Sequence, residues 1–382
     1  MNNIFNKKIA IVGGGPGGLT LARILQMRHA TVTVYERDVH KDARAQGATL
    51  DLHYESGLKA LEVAGLMDAF KANFRPGADN MRICDKDANI IQEYANADAG
   101  PVKGYRPEID RGPLKKILLE SLHPDTVVWN SQLVSLTPIN DSWQLNFKDG
   151  TTAFADIVIA ADGANSRIRP YITPVKPFYA GITMVEGTVY DSAKNSPQIH
   201  QLLNNGKLFI LGEDKSLIVS SKGDGSLVFY TGCKTSEDWV KTSGIDFSDK
   251  LQVLAWFKAT FPGWHNIWHE LFENAAAPFI PRPQYCMPLD QTWEALPNLT
   301  MIGDAAHLMP PYAGEGVNMA MLDALELGLC LTDEIYTDTR SAIAAYEISM
   351  RTRAAATAEL TIESTNALHA PDALSYLLQT VS

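Results

Sequence analysis

The chain has 382 residues, 46% of them hydrophobic and 20% charged, which is ordinary for a folded globular protein and long enough for two domains. A formal net charge of -11 excludes nucleic acid or an anionic membrane as the main partner, because both require a basic face. No apolar run is long enough to span a bilayer, and the four scattered cysteines (Cys84, Cys233, Cys286 and Cys330) suggest packed thiols, not a disulfide framework or a zinc site.

Residues 7–36 predict a βαβ unit. Ile9–Val12 is a buried apolar strand, Leu19, Ala22, Ile24 and Leu25 mark a short helix, and Thr31–Tyr35 is a β-branched strand ending at Glu36. No apolar segment with a cleavage site precedes the unit, which predicts a cytoplasmic protein. A loop with Gly47 leads into the extended stretch 48–52, and Leu58–Ala64 predicts a helix. Residues 80–105 predict strands and turns, and Leu114–Leu122 a helix with Arg111 just before it and Pro113 near its start. Phe154–Ala161 predicts a second fully apolar strand, leading into the turn Asp162-Gly163 with Arg167. From about 171 to 286 the pattern alternates, as in 207–211 and 226–230, and turn signals separate the runs, which predicts antiparallel strands. An amphipathic helix is expected over 249–261. Leu299–Ile302 returns to a buried strand. Helices follow from near Val317 and over 319–331, and a long Ala-rich helix over 340–366.

Three separated segments beside these apolar strands point to one dinucleotide site. The first is Gly13-x-Gly15-Pro16-Gly17-Gly18, a strand-turn-helix junction whose amides can approach a pyrophosphate at a helix N-terminus. Glu36, 18 positions beyond Gly18, stands where an acid accepts hydrogen bonds from a ribose. The second is Asp162-Gly163 with Arg167, read as a contact in the cofactor region. The third is Gly303-Asp304, continuing through Pro311, Gly314, Glu315 and Gly316 to Val317 and Asn318. There an aspartate can bind a ribityl chain, and a helix N-terminus can face the O2/N1 edge of a flavin and stabilise its reduced form. In combination the segments indicate FAD, with no second glycine-rich site for a resident nicotinamide cofactor. His307 reads as structural or cofactor-contacting, and His265 with His269 as a helix face beside Trp264 and Trp268 that lacks a third metal ligand.

With these motifs the chain resembles the single-component, aromatic-hydroxylase (group A) class of flavoprotein monooxygenases. It looks most similar to the tetracycline-inactivating monooxygenases (tetracycline destructases), through Met1–Leu21, Gly47-x-Thr49-Leu50-Asp51-Leu52-His53, Glu108-Ile109-x-Arg111 and 301–311. The resemblance implies that Glu36 and Arg37 bind the adenosine part of FAD. It implies that Arg111 and Asp304 contact the ribityl–phosphate region, and that Pro311 to Gly316 line the isoalloxazine. At the polar substrate contacts, where that family has a glutamine, an arginine and a histidine, this chain has Glu186, Lys207 and Val228, with Phe209, Pro311 and Gly314 as further substrate-side candidates. Val228 cannot hydrogen-bond and Glu186 is expected to repel an anionic enolate, so tetracycline is expected to be a poor substrate. The glutamine usual between the two glycines is Glu315 here.

The fold expected is α/β: a Rossmann-like FAD-binding domain with an inserted, mainly antiparallel β-sheet substrate domain and a long C-terminal helix. Residues 1–170 and 287–335 form the FAD part, with 73–105 contributing to the substrate side. Residues 171–286 form the substrate part and 336–382 a helical segment. The expected function is an NADPH-consuming monooxygenase that uses O2, through a flavin C4a-hydroperoxide, to hydroxylate an aromatic or enolic polycyclic small molecule as a monomer. The rivals are an FAD oxidoreductase without oxygen insertion and a flavin-binding protein that sequesters a ligand. A halogenase is disfavoured, since Trp-x-Trp-x-Ile-Pro is missing.

Overall fold

A computed structural model of the chain describes residues 4–43, 47–94 and 106–381. Its first layer is a five-stranded sheet of Leu299–Met301, Ile157–Ala160, Lys8–Val12, Thr31–Tyr35 and Val127–Val128, in that spatial order. Every pairing in it is parallel. Helices cover the sheet, so its central strands are apolar at successive positions: Ile9, Ala10, Ile11 and Val12 are all buried. The helix Pro16–Met27 packs against the helix Gly316–Thr332, closely enough that a Cβ on Gly328 would stand 2.7 Å from Ile24. The long helix Thr339–Ala367 lies behind, its Tyr346 hydroxyl donating to the Met301 carbonyl at 3.1 Å.

The run 154–161 is not one strand. Thr152–Ala155 closes a three-stranded antiparallel sheet with Leu133–Ile139 and Ser142–Phe147, whereas Ile157–Ala160 belongs to the parallel sheet. Asp156 makes the break. Its carboxylate accepts the Lys8 amide at 2.7 Å and the Ser142 hydroxyl at 3.0 Å, which hands the chain from one sheet to the other. Phe154 is correspondingly exposed. The helix expected from Leu114 starts at Arg111, with Pro113 in the first turn, where a missing N–H costs nothing.

The third sheet has seven strands: Ala276–Cys286, Phe178–Val189, Leu227–Lys234, Lys215–Ser221, Lys207–Gly212, Met81–Asp85 and Ile90–Tyr94. It is antiparallel except where 207–212 meets 81–85. The expected strands over 80–105 enter this sheet as far as Tyr94, and 95–105 lie outside the described residues. One face is sealed by Phe229, Phe257, Phe272, Phe279 and Trp268, beneath the helices Lys250–Thr260 and His269–Asn274. The other face turns toward the parallel sheet, with the ribbon Leu50–Asp51/Glu108–Ile109 between them. Among the described residues, no helix is long and apolar enough to cross a membrane.

Candidate cofactor and substrate site

The C-terminal ends of strands 8–12, 157–160 and 299–301 lie side by side, so the three glycine-bearing segments that follow them converge. This is where open parallel sheets bind ligands. Gly13 leaves its strand at φ +116, and its amide donates to the Tyr35 carbonyl at 2.9 Å. The following helix has Gly15 as its N-cap, with no side-chain cap and no acidic residue in the first turn, so its positive end stays available to an anion. Glu36 is buried, its carboxylate accepting the Gly14 amide at 2.6 Å and the Asp38 amide at 2.8 Å. It therefore shapes the glycine turn as well as standing at the strand end. Arg37 is exposed.

Asp162 accepts the Arg167 amide at 2.7 Å through Oδ2, while Oδ1 is buried with no partner. Burial raises the pKa of this carboxyl above its ordinary value. The buried cation of this segment is Arg169, not Arg167. It donates to the carbonyls of Ala305 (2.7 Å), Asp304 (2.8 Å) and Ala164 (3.0 Å), tying the second segment to the third. Asp304 lies at that junction, and desolvation raises its carboxyl too, with His307, Arg111 and Arg169 pulling the other way. Arg111 reaches in from the start of its helix, beside the sheet residues Glu186, Tyr230 and Arg282. Its Nε donates to the Ala48 carbonyl at 3.1 Å, and Tyr230, Asp304, Glu186 and Arg282 are its electrostatic neighbours.

The third segment continues into the one-turn helix Pro311–Ala313, then Gly314 at φ +71, Glu315 and the helix at Gly316. Gly314 is forced. It adopts the left-handed region, and a Cβ there would crowd the Asp51 carboxylate at 3.3 Å. Asn318 stitches the helix start to the stretch after Gly47, accepting the His53 amide at 2.8 Å and donating to the Asp51 carbonyl at 2.9 Å. His53 lies between two carboxylates, 3.1 Å from Asp51 and 3.4 Å from Glu315. Burial disfavours its charged form, but those two partners outweigh burial and push the imidazolium up to about 9. His307 faces away, its Nε2 2.5 Å from Asp323 in the core.

On the opposite wall, strand 227–234 sends Leu227, Phe229 and Cys233 into the aromatic core, which leaves Val228, Tyr230 and Gly232 on the cleft face. The Tyr230 hydroxyl accepts the Ala48 amide at 3.0 Å, so this side chain crosses from one wall to the other. Glu186, opposite Tyr230 in the sheet, is buried and accepts Arg282 Nε at 2.5 Å. Its charge is matched, so the expected repulsion of an enolate loses force. Lys207 pairs with the buried Glu108, which Thr49 also reaches. Phe209 packs with Tyr312 and Leu377 in a small cluster under the last helix, Ala373–Thr380. Val228 is 1% exposed and adds only bulk. Tyr312 reaches the buried His369, hydroxyl to Nε2 3.3 Å, and Ser216 lies 3.1 Å from the same nitrogen. Burial lowers His369 to about 4, so it sits there as a neutral acceptor.

The residues brought together are thus the glycine turn, Glu36, Asp162, Asp304, Arg111 and the 311–318 segment. Tyr230, Arg282, His369 and Arg169 were not apparent from the sequence, whereas His53 and Tyr312 lie within the motifs that carry the resemblance. Tyr230 had no clear local signal, because the burial of Leu227, Val228 and Phe229 alike hides the alternation. His265 and His269 do not share one helix: His265 caps the turn Asn266–Trp268 through Nδ1 and His269 opens the next helix. Among the described residues no cluster could hold a metal ion.

The residues present fit a dinucleotide. An uncapped helix start, an orphaned buried Asp162 oxygen and a buried Glu36 face the convergent strand ends, and a Cβ on Gly15 or Gly316 would meet no protein atom within 4 Å. Glu36→Ala is expected to weaken FAD retention about tenfold to a hundredfold, the loss of a charge-assisted hydrogen bond of about 1.5–3 kcal/mol. Fluorescence titration of the apoprotein with FAD reads this directly, and an unchanged Kd removes Glu36 from the site.

The pattern defining the family described as FAD binding domain matches residues 6–207 and 296–361. Monooxygenase asqM of Emericella nidulans is 30% identical over 371 residues, covering 84% of this chain and 82% of that protein. Klebsiella pneumoniae HpxO, solved with FAD and uric acid, superposes with a TM-score of 0.78 at 21% identity, covering 99% of this chain and 93% of the other. Tetracycline destructase Tet(55) does so with a TM-score of 0.74 at 19% identity, covering 97% of this chain and 90% of the other. At those identities the two structures speak for the fold alone.

Proposed function

The chain belongs to the FAD binding domain family, and on that premise we propose that it is an NAD(P)H-consuming monooxygenase that hydroxylates an aromatic or enolic small molecule in the cleft facing strand 227–234. The observation that carries this reading is the convergence of the three glycine-bearing segments on one side of a cleft whose other wall is a half-buried polar sheet face. FAD, when bound, supplies the redox and oxygen chemistry. The protein then needs no nucleophile. His307 and His369, the buried imidazoles nearest the cleft, are both committed to neighbours.

The chain's own contribution is to bind, orient and exclude water. Arg111 and Tyr230 are clamped by the two polar groups of Ala48. Tyr230 holds its phenolic proton firmly, pushed up to about 12 by burial, with Glu186 adding to the effect. It can therefore donate to a substrate oxygen throughout the neutral range. Arg282 compensates Glu186, so the cleft is open to a substrate bearing an enolate or phenolate oxygen. Val228 offers no hydrogen bond where the resembled family has a histidine, and tetracycline is expected to be a poor substrate for that reason. On this reading 1–170 and 287–335 carry the cofactor, 171–286 with strands 81–94 carries the substrate, and the last helices close the assembly as a monomer.

The test is a screen of NADPH and NADH oxidation by the FAD-loaded protein against phenols, urate and tetracyclines, with mass detection of products one oxygen atom heavier. Nicotinamide oxidation with no oxygenated product from any compound overturns the monooxygenase reading in favour of an oxidoreductase. A protein that takes up no added FAD overturns the whole of it.

A further inference from the structure

We propose that Glu315, His53 and Asp51 form a charge-setting unit for the bound flavin, with His53 a positioning residue whose proton matches the carboxylate carried by the flavin-facing segment. The inference rests on the reading that Gly314 to Gly316 faces the flavin ring. It goes beyond that reading by assigning a function to a carboxylate placed at the start of the helix.

The geometry is specific. His53 sits between the two acids, Nε2 3.1 Å from Asp51 Oδ2 and Nδ1 3.4 Å from Glu315 Oε1. Its main chain cannot drift, since its amide donates to Asn318 Oδ1 at 2.8 Å and Asn318 returns a bond to the Asp51 carbonyl at 2.9 Å. All three side chains are mostly shielded, at 13%, 22% and 20% exposure for His53, Asp51 and Glu315. Screening by water is correspondingly weak.

Charges reach the unit from each neighbouring element. Arg106, ahead of strand 108–109, is 3.9 Å from Asp51. Lys207, on strand 207–212, acts on Asp51 from the sheet and is itself held by Glu108, with Asp79 beyond it. Arg106 and Lys207 are directed to Asp51 and Glu108, so among the described residues the cation paired with Glu315 is His53. The two acids push the His53 imidazolium up to about 9, against burial.

A carboxylate at a helix N-terminus opposes any negative charge gained in front of that helix. With His53 protonated, Glu315 is matched and electron uptake by the flavin meets little resistance from it. Without that proton, Glu315 and part of Asp51 are left uncompensated beside the same helix start, and reduction is disfavoured. Glu315 with His53 thus makes reduction dependent on pH through a group that is neither flavin nor substrate.

The experiment is an equilibrium reduction of the FAD-loaded protein against a reference dye, read by absorbance, for wild type, Glu315→Gln, His53→Gln and the double variant. Glu315→Gln should raise the ratio of reduced to oxidised flavin at fixed dye poise, and His53→Gln should lower it, each by about two- to tenfold. The double variant should return toward wild type, since the unmatched carboxylate has gone with its partner. In wild type the midpoint should fall more steeply with pH from about 9 upward, a bend that moves lower in Glu315→Gln and vanishes in His53→Gln. Equal dye ratios in wild type and Glu315→Gln, with FAD bound in both, overturn the proposal and leave the flavin assignment standing. Failure of the wild type to bind FAD overturns the assignment itself. Glu315→Gln keeps size and shape at a half-buried position, so the comparison survives even where His53→Gln folds poorly.

Discussion

Gly13→Ala is expected to leave little folded, FAD-binding protein. The residue sits at φ +116, where an L side chain is strained whatever the space around it. Space is also lacking: a Cβ there would lie 2.1 Å from the Ala161 carbonyl oxygen and 2.5 Å from its carbon. Both are backbone atoms of the adjoining turn, and the Ala161 amide is bonded to the Val12 carbonyl at 2.8 Å, so the neighbour cannot retreat without opening the parallel sheet. Strain and overlap together should cost about 3 kcal/mol or more. Thermal unfolding of the apoprotein measures it, and an apoprotein as stable as wild type would show that the turn is not built this way. Gly15→Ala is the contrast, because its Cβ meets no protein atom within 4 Å. That variant should unfold near the wild-type temperature yet bind FAD more weakly, separating the turn's role in folding from its role in binding the cofactor.

This contrast also explains which parts of the molecule could be read from the sequence. The glycine turn, Glu36 and the apolar strands are local patterns: what each does is set by residues within one βαβ unit, and parallel strands covered on both faces stay apolar throughout. The opposite wall of the cleft is different. In strand 227–234 Leu227, Val228 and Phe229 are all buried, so alternation does not tell the cleft face from the core face. Only the Tyr230 hydroxyl meeting Ala48, 182 positions away, shows which face is which.

Charge pairing was hidden for the same reason. Glu186 looked like a free carboxylate because Arg282, its partner, is 96 positions on and three strands intervene in the chain order. His53 and Glu315 meet only because Asn318 joins two segments 265 positions apart. Arg169 was passed over for Arg167, although both follow the same turn. Which of the two points inward is fixed by Ser166, whose hydroxyl accepts the amides of Ile168 and Arg169 at 3.1 Å and 3.0 Å and starts a short helix there.

Asp323→Ala is expected to destabilise the protein by about 3–5 kcal/mol, the range for removing one partner from a buried ionic cluster. Asp323 is fully buried in the helix 316–332, and four groups depend on it or its neighbours. Oδ2 accepts the Gly303 amide at 2.8 Å and lies 2.5 Å from His307 Nε2. Oδ1 accepts Arg353 Nη2 at 2.7 Å, and Arg353 also holds Glu326. Truncation leaves a buried imidazole without its acceptor and the Arg353 guanidinium with Glu326 alone, and frees the turn that presents Asp304. FAD affinity should therefore fall along with stability, and partial recovery of affinity in Asp323→Asn, which can still accept the Gly303 amide, would locate the effect in that turn. The pH dependence has two arms. Burial pushes the Asp323 carboxyl up, but His307, Arg353 and the Gly303 amide outweigh it and hold it below its ordinary value, so its contribution is present above about pH 3.9 and is lost as pH falls through the lowered value. Burial pulls His307 down, but Asp323 outweighs burial and raises it, so its share is complete below about pH 6.5 and is lost as pH rises through the raised value. The stability gap between wild type and Asp323→Ala should accordingly be widest between about pH 4 and 6.5 and narrow on both sides, more completely in acid, because Arg353 keeps its charge in alkali. A gap that stayed constant across urea unfolding at pH 3, 5.5 and 9 would show that Asp323 acts there through packing alone.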